Sequence, residues 1–407
     1  MCSFSYGRLL VAVIAVQACG REVPATSATA ARDSAGVAIV ESTLDTARLA
    51  VWQIPDSPVV DIGGDEDGPA ALQQVRAVLW DRDGTILIGD GATREARRFD
   101  STGRHLATWG RNGDGPGEFR SISRMWPVPP DSIGIYDNVL RRVTVMSRTG
   151  EPGAVTSLRT LSYTYTVQPL GGSRMLLGFI PVDSSRATSG PTTRSRLTVT
   201  LTERDSIHLD TILTLPALET YPLLGREGDA TFPAQSMPLF GKATILRADG
   251  SRILAATNDA FEIAEYDAEG TLQRLIRLLL PRRAVSDADR AEYVAQELRA
   301  IDEQNAGAPE VFREQWRTAL REQRVSTHFP FIDDLLVAED GALWVEVFRW
   351  RRGDPRRYFV FDEAGRLTAR AAMPPRSRPM AIRGDRILAL WRDADDIEHV
   401  RIYRVRR

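Results

Sequence analysis

The sequence predicts an all-β chain built as a six-bladed β-propeller, and three observations carry that expectation. First, a phrase recurs at roughly 40 to 50 residues, the period of a propeller blade. It begins with an Asp- or Gly-bearing turn, continues through a short apolar strand, and ends in a strand closing on aromatic-Asp and a Gly turn. Its clearest copy is Asp81-Arg82-Asp83-Gly84-Thr85-Ile86-Leu87-Ile88-Gly89-Asp90, followed by Arg98-Phe99-Asp100-Ser101-Thr102-Gly103. Second, the ending returns as Tyr266-Asp267-Ala268-Glu269-Gly270 and Phe361-Asp362-Glu363-Ala364-Gly365, and weaker copies start near Asp131, Gly171, Asp249, Asp340 and Gly384. Third, apolar and polar residues alternate along several second strands, as half-buried strands require.

At the N-terminus, Arg8 precedes the apolar run Leu9 to Val16, and Gln17-Ala18-Cys19-Gly20 follows. A positive residue, a short apolar stretch and a small residue before the cut form a secretory signal over residues 1–18. The run is too short to span a bilayer, which takes about 20 apolar residues. Val16-Gln17-Ala18-Cys19 resembles the lipobox of bacterial lipoproteins. That resemblance implies an acylated Cys19 as the mature N-terminus, a membrane partner held through the lipid, and a place in the cell envelope. Gly20 after the cysteine implies the outer membrane. An ordinary signal peptide with a chance cysteine is the other reading. Residues 19–36 are small, polar and without periodicity, a flexible tether.

The propeller is expected over residues 37–407. Blade segments are read at about 73–119, 122–158, from 163, and then around Ile253–Asp267, Leu343–Asp362 and Ile387–Val405. Residues 37–63 are left over, and they are expected to pair with the blade near 380–405 and close the ring. Seven blades is the alternative, since 160–245 is long and irregular. One stretch, 286–323, breaks the β pattern. Ser286 is placed to cap a helix with Asp287 and Asp289 in its first turn, and Ala291, Val294, Ala295, Leu298 and Ile301 share one face. Gly307 ends that helix. Pro309 opens a second, bearing Phe312, Trp316, Ala319 and Leu320. The hairpin is read as packing on the rim or a face of the disc, or as a lid or partner-docking element.

Bulk properties narrow the function. Formal charge is −2 at pH 7, so no whole-chain field favours nucleic acid. Both cysteines, Cys2 and Cys19, fall in the first twenty residues, so the propeller carries no disulfide, thiolate metal site or cysteine nucleophile. The four histidines, His105, His208, His328 and His399, show no metal-binding spacing. No GxSxG elbow or phosphate-binding loop is present. Asp65, Asp67, Asp114 and Glu118 lie in Gly-rich loops without a calcium-loop pattern, so no cofactor is expected, with a divalent metal such as calcium as the alternative.

Gly113-Asp114-Gly115-Pro116-Gly117-Glu118-Phe119 resembles the GxGPGEF phrase of NHL-like six-bladed propeller proteins of bacteria. Arg32-Asp33-Ser34-Ala35-Gly36-Val37 is similar to the opening of exported members of that group. Phe329-Pro330-Phe331 ahead of Asp340-Gly341-Ala342-Leu343-Trp344-Val345 fits it too. The resemblance implies a fold more than an activity. In the motif itself, Phe119 is expected to anchor the loop in the core and Glu118 to accept backbone N–H groups or pair with Arg111. Candidate ligand-binding residues are Arg111, Glu118, His328, Trp126 and Trp344, the two tryptophans also being suited to blade cores. Two functions follow: a membrane-tethered binding module for a protein, peptide or glycan, or a metal-dependent hydrolase, lactonase or lyase with its site at the channel mouth.

Overall fold

A computed structural model describes residues 29–65, 67–158, 164–171, 174–180, 189–203, 206–227 and 230–407. The signal segment, Cys19 and most of the expected tether lie outside the described residues, as does the side chain of His208. Among the described residues the strands form six sheets arranged as blades, the number the repeat predicts. Blade 1 spans Val75–Trp80 to His105–Trp109, and blade 2 Arg124–Val128 to Pro152–Ser157. Blade 3 runs from Thr164–Pro169 through Ser206–Glu227, and blade 4 from Ile245–Asp249 to Leu272–Leu279. Blade 5 runs from Ile332–Val337 to Leu367–Ala372, and blade 6 from Ser377–Arg383 to Glu398–Arg404. The first strand of each blade lines the axis. The face on which these inner strands begin is called the mouth face below.

The recurring phrase has a physical cause. Its aspartate accepts the backbone N–H groups of the tight turn that follows. Asp100 Oδ1 takes Thr102 N and Arg104 N at 2.9 and 3.0 Å; Asp267 Oδ1 takes Glu269 N and Thr271 N at 3.1 and 2.8 Å. The glycine then adopts positive φ, +91° at Gly103 and +85° at Gly270, where a side chain would strain the turn. Asp90 and Asp137, both fully buried, extend the device. One oxygen of each holds its own turn, while the other takes Gln73 N or Arg120 N from the loop entering the inner strand.

The N-terminal segment departs from the expected single closing strand. It contributes β1 (Thr29–Ser34), β2 (Val37–Thr43), β3 (Ala50–Trp52) and β4 (Val60–Gly63). Only β4 joins blade 6, pairing antiparallel with Glu398–Arg404 as its fourth strand. β2 pairs parallel with Leu272–Leu279 of blade 4, and β3 parallel with Leu367–Ala372 of blade 5. Blades 4 and 5 already hold four strands each, so β2 and β3 cover edges that would otherwise be bare. The expected tether boundary at Gly36 also shifts, because Thr29–Ser34 folds back on β2 as a hairpin. Ile62 of β4 is 2% exposed and sits in the core between blades 6 and 1.

Blade 3 accounts for the irregular stretch. Its outer strand, Ser206–Glu227, is 22 residues long and outruns its partner. Its far end pairs with Ala230–Ser236 as a ribbon on the mouth face.

The helical insertion forms as α1 (Asp287–Gln304) and α2 (Glu310–Glu322). Ser286 and Asp289 make a reciprocal capping box at the start of α1, which contributes about 1 kcal/mol. Tyr293 and Val294 of α1 and Leu320 of α2 pack against Leu239, Phe240 and Phe329. The Phe329 and Trp350 rings stack there at 6.1 Å. The return from α2 braces the ribbon: Ser326 Oγ donates to Glu219 at 3.0 Å, and Arg324 lies over the Tyr221 ring at 4.4 Å.

Candidate functional site

Where the inner strands begin, the axis opens into a cavity of about 380 Å³ lined by Arg124, Thr166, Ile245, Leu246, Arg247, Asp333, Asp334 and Arg378. Each comes from the first half of an inner strand, in blades 2, 3, 4, 5 and 6. A regular strand sends successive side chains to opposite faces. Asp333 and Asp334 both reach the cavity because the pairing register slips between Ile332 and Asp334, and such a bulge re-aims one side chain.

The charges in the cavity do not cancel. Asp334 pairs closely with Arg247 and lies 3.6 Å from Arg378. Arg247 is held in place by donating to Leu335 O and Leu246 O, both at 3.0 Å. Burial pushes the Arg124 guanidinium down to about 10, with the charge of Arg247 adding to the effect, and it stays protonated at neutral pH. Among the described residues no hydrogen bond or ion pair engages the Arg124 side chain. Asp333 is pushed up to about 7, mainly by burial and further by the charge of Glu346, against the hydrogen bond from Arg349 N at 3.0 Å. Three guanidinium groups therefore face two carboxyl groups, and that of Asp333 is half-protonated near neutral pH. Behind Asp333, Glu346 is 1% exposed, accepts Arg356 at 2.5 Å and the Tyr358 hydroxyl at 2.8 Å, and so fixes the floor beneath it.

The residues singled out in the sequence lie elsewhere. Arg111 and Glu118 pair at 2.7 Å on the loop between blades 1 and 2. The other Glu118 oxygen takes Gly115 N at 2.8 Å. That bond, then Arg111, holds the Glu118 carboxyl below its usual range. Phe119 is fully buried, and Arg142 donates to the carbonyls of Asp114, Gly115 and Glu118. A Cβ at position 113 would lie 2.1 Å from Glu118 Oε2, so any larger residue there would push the Glu118 carboxylate out of place. These contacts make the GxGPGEF phrase a braced connector. Trp126 is 8% exposed and packs in blade 2, while Trp344 is 1% exposed and packs against Trp52 and Tyr358. His328 lies on the return from α2 with its Nδ1 3.0 Å from Thr327 Oγ1. Among the described residues, no group of three or more His, Cys, Asp or Glu side chains is placed to hold a metal ion.

No family model matches this chain, and no curated protein matches it by sequence. Solved structures do. A candidate exported protein of Bacteroides fragilis superposes with a TM-score of 0.50 at 13% identity, covering 91% of this chain and 100% of its own. A member of the DUF4221 family from Bacteroides vulgatus gives 0.48 at 8% identity over 87% and 98%. Regucalcin of Agrobacterium tumefaciens, described as calcium-binding, gives 0.38 at 11% identity over 88% and 95%. At 13% identity the first of these similarities concerns the fold alone, and the propeller itself is read from the six sheets.

Proposed function

We propose that the protein is a cell-envelope binding module, a propeller that takes an acidic group of a protein, peptide or glycan partner at its axial mouth. The observation that carries this reading is the surplus of guanidinium in the cavity, above all the unengaged Arg124. Arginine's planar fork suits carboxylate and phosphate groups bidentately, and partial burial strengthens that interaction. Export through the 1–18 signal, acylation at Cys19, outer-membrane attachment and membership of the NHL-like propellers belong to the same reading. This reading assigns attachment to the lipid on Cys19; among the described residues no helix is long and apolar enough to cross a membrane. A divalent cation at this axis would meet three guanidinium groups, so the metal-dependent hydrolase, lactonase or lyase alternative draws no support from the cavity.

The test is thermal unfolding of the full chain against inorganic phosphate and citrate, compared with Arg124→Met, which keeps the apolar stem. A charge-assisted bond contributes about 1.5–3 kcal/mol, so the variant should bind these probes about ten- to a hundredfold more weakly. Saturating the native cavity at about a hundred times Kd adds about 2.7 kcal/mol of stability. No stabilisation by either anion, or equal stabilisation of the variant, would overturn the proposal.

A further inference from the structure

We propose that the helical hairpin seats the disc on a lipid bilayer. Val311, Phe312 and Trp316 of α2, with Leu224 and Phe232 of the adjacent ribbon, would enter the headgroup region. Among the described residues, the exposed Phe and Trp side chains are Phe232, Phe312 and Trp316. They are not scattered. All three stand on the two mouth-face projections that brace one another through Glu219, Tyr221, Arg324 and Ser326. At 100° per residue, Val311, Gln315, Ala319, Phe312 and Trp316 fall on one face of α2, all five are exposed, and the one charge on that face is Glu322 in the last turn.

The other charges of α2 are engaged away from that face. Arg317 pairs with Asp302 of α1, with Glu310 at 2.6 Å and with Glu314 at 3.1 Å, and Arg321 pairs with Glu314 at 3.2 Å. Leu320 alone turns toward the aromatic cluster. An amphipathic helix with its apolar side outward presents a surface that calls for a partner.

The position of the chain's first described strand identifies that partner as a bilayer. Thr29 pairs with Ser42, and Ser42 pairs with Leu278, one residue before blade 4 gives way to the segment leading into the hairpin. The tether therefore joins the disc two strand spacings, about 10 Å, from Leu278, where blade 4 gives way to the segment that leads to the hairpin. Thr29 lies ten positions after Cys19, a span of at most about 36 Å. An acyl group on Cys19 would thus keep the bilayer within reach of α2. In this respect the inference rests on the anchor proposed above. A single weak signal gives marginal membrane binding, and two together give a stable one. Tethering raises the effective concentration of the second contact, and Trp and Phe suit the boundary between headgroups and acyl chains.

The experiment uses the full chain purified from membranes and reconstituted into phosphatidylethanolamine–phosphatidylglycerol vesicles with bromine at shallow acyl positions. Tryptophan emission of the native protein should be quenched. Trp316→Phe, a mild change at an exposed site, should lose that quenchable fraction, and Phe312→Asp should reduce it. The mass of the N-terminal peptide reports Cys19 acylation independently. Acylation with Trp316 emission unquenched overturns the seating and leaves the anchor standing. Quenching without acylation supports the seating and removes the anchor. A detergent-solubilised dimer that Phe312→Asp converts to monomer assigns this face to a second copy, and the proposal falls.

Discussion

Asp333→Asn should make the protein more stable above neutral pH while leaving its acid stability unchanged. The carboxyl moves from 3.8 in the unfolded chain to about 7 in the fold, chiefly through burial. Each pKa unit corresponds to about 1.4 kcal/mol, so ionising Asp333 in place costs up to about 4 kcal/mol. The side chain borders an open cavity, which screens part of that, leaving about 2–4 kcal/mol. The sign follows from proton counting. Between about pH 4 and pH 7 the folded state binds the proton and the unfolded state does not, so stability falls as pH rises through this window and levels off above it. Asparagine carries no such charge and can still accept the Arg349 N–H. Urea unfolding of both chains across this range isolates the group, because every other titration is common to the two. The free energies should coincide near pH 4 and diverge to favour Asp333→Asn by pH 8. Parallel curves would refute both the burial argument and the assignment of a half-charged carboxylate to the mouth.

Three further outcomes test the framework. Glu346→Ala strands Arg356 and the Tyr358 hydroxyl, and breaking such a buried pair should cost about 3–5 kcal/mol in denaturant unfolding. Gly113→Ala drives a methyl into the Glu118 carboxylate. It should cost about 1–2 kcal/mol by displacing the Gly115 hydrogen bond, while anion binding at the axis, measured by the same thermal shift, stays unchanged. Ile62→Ala weakens the strand that completes blade 6. The expected loss is about 2–5 kcal/mol, read as a lower melting temperature, whereas a loss below about 1 kcal/mol would mean that β4 does not close the ring.

The blades were legible because their signal is local. The aspartate of each phrase and the glycine after it satisfy a turn within five residues, so one window of sequence contains the whole device. Helix α1 was legible for the same reason, its cap and first turn lying side by side at Ser286 to Asp289. The outward side of α2 was not. Periodicity groups Phe312 with Trp316, yet it cannot say which way a face turns, and tertiary packing took Leu320 instead. The parallel course of β2 and β3 was equally hidden, since parallel edge pairing leaves no turn between partners.

The mouth was illegible for a deeper reason. Arg124, Arg247, Arg378 and the Asp333–Asp334 pair sit on four different blades and meet only through ring closure. In a chain where Lys242 is the sole lysine among 52 basic residues, one more arginine draws no notice. A usable signal did exist: each of these charges interrupts the opening of an inner strand, where the axis-facing wall would otherwise be apolar. Arg124 precedes Met125-Trp126, Arg247 follows Ile245-Leu246, and the two aspartates stand between Ile332 and Leu335. Burying a charge is costly unless it is paired or used. Three blades that each carry a half-buried charge within the first three residues of the inner strand therefore mark the site. Conspicuous aromatics such as Trp126 and Trp344 report only that the blades between those charges are well packed.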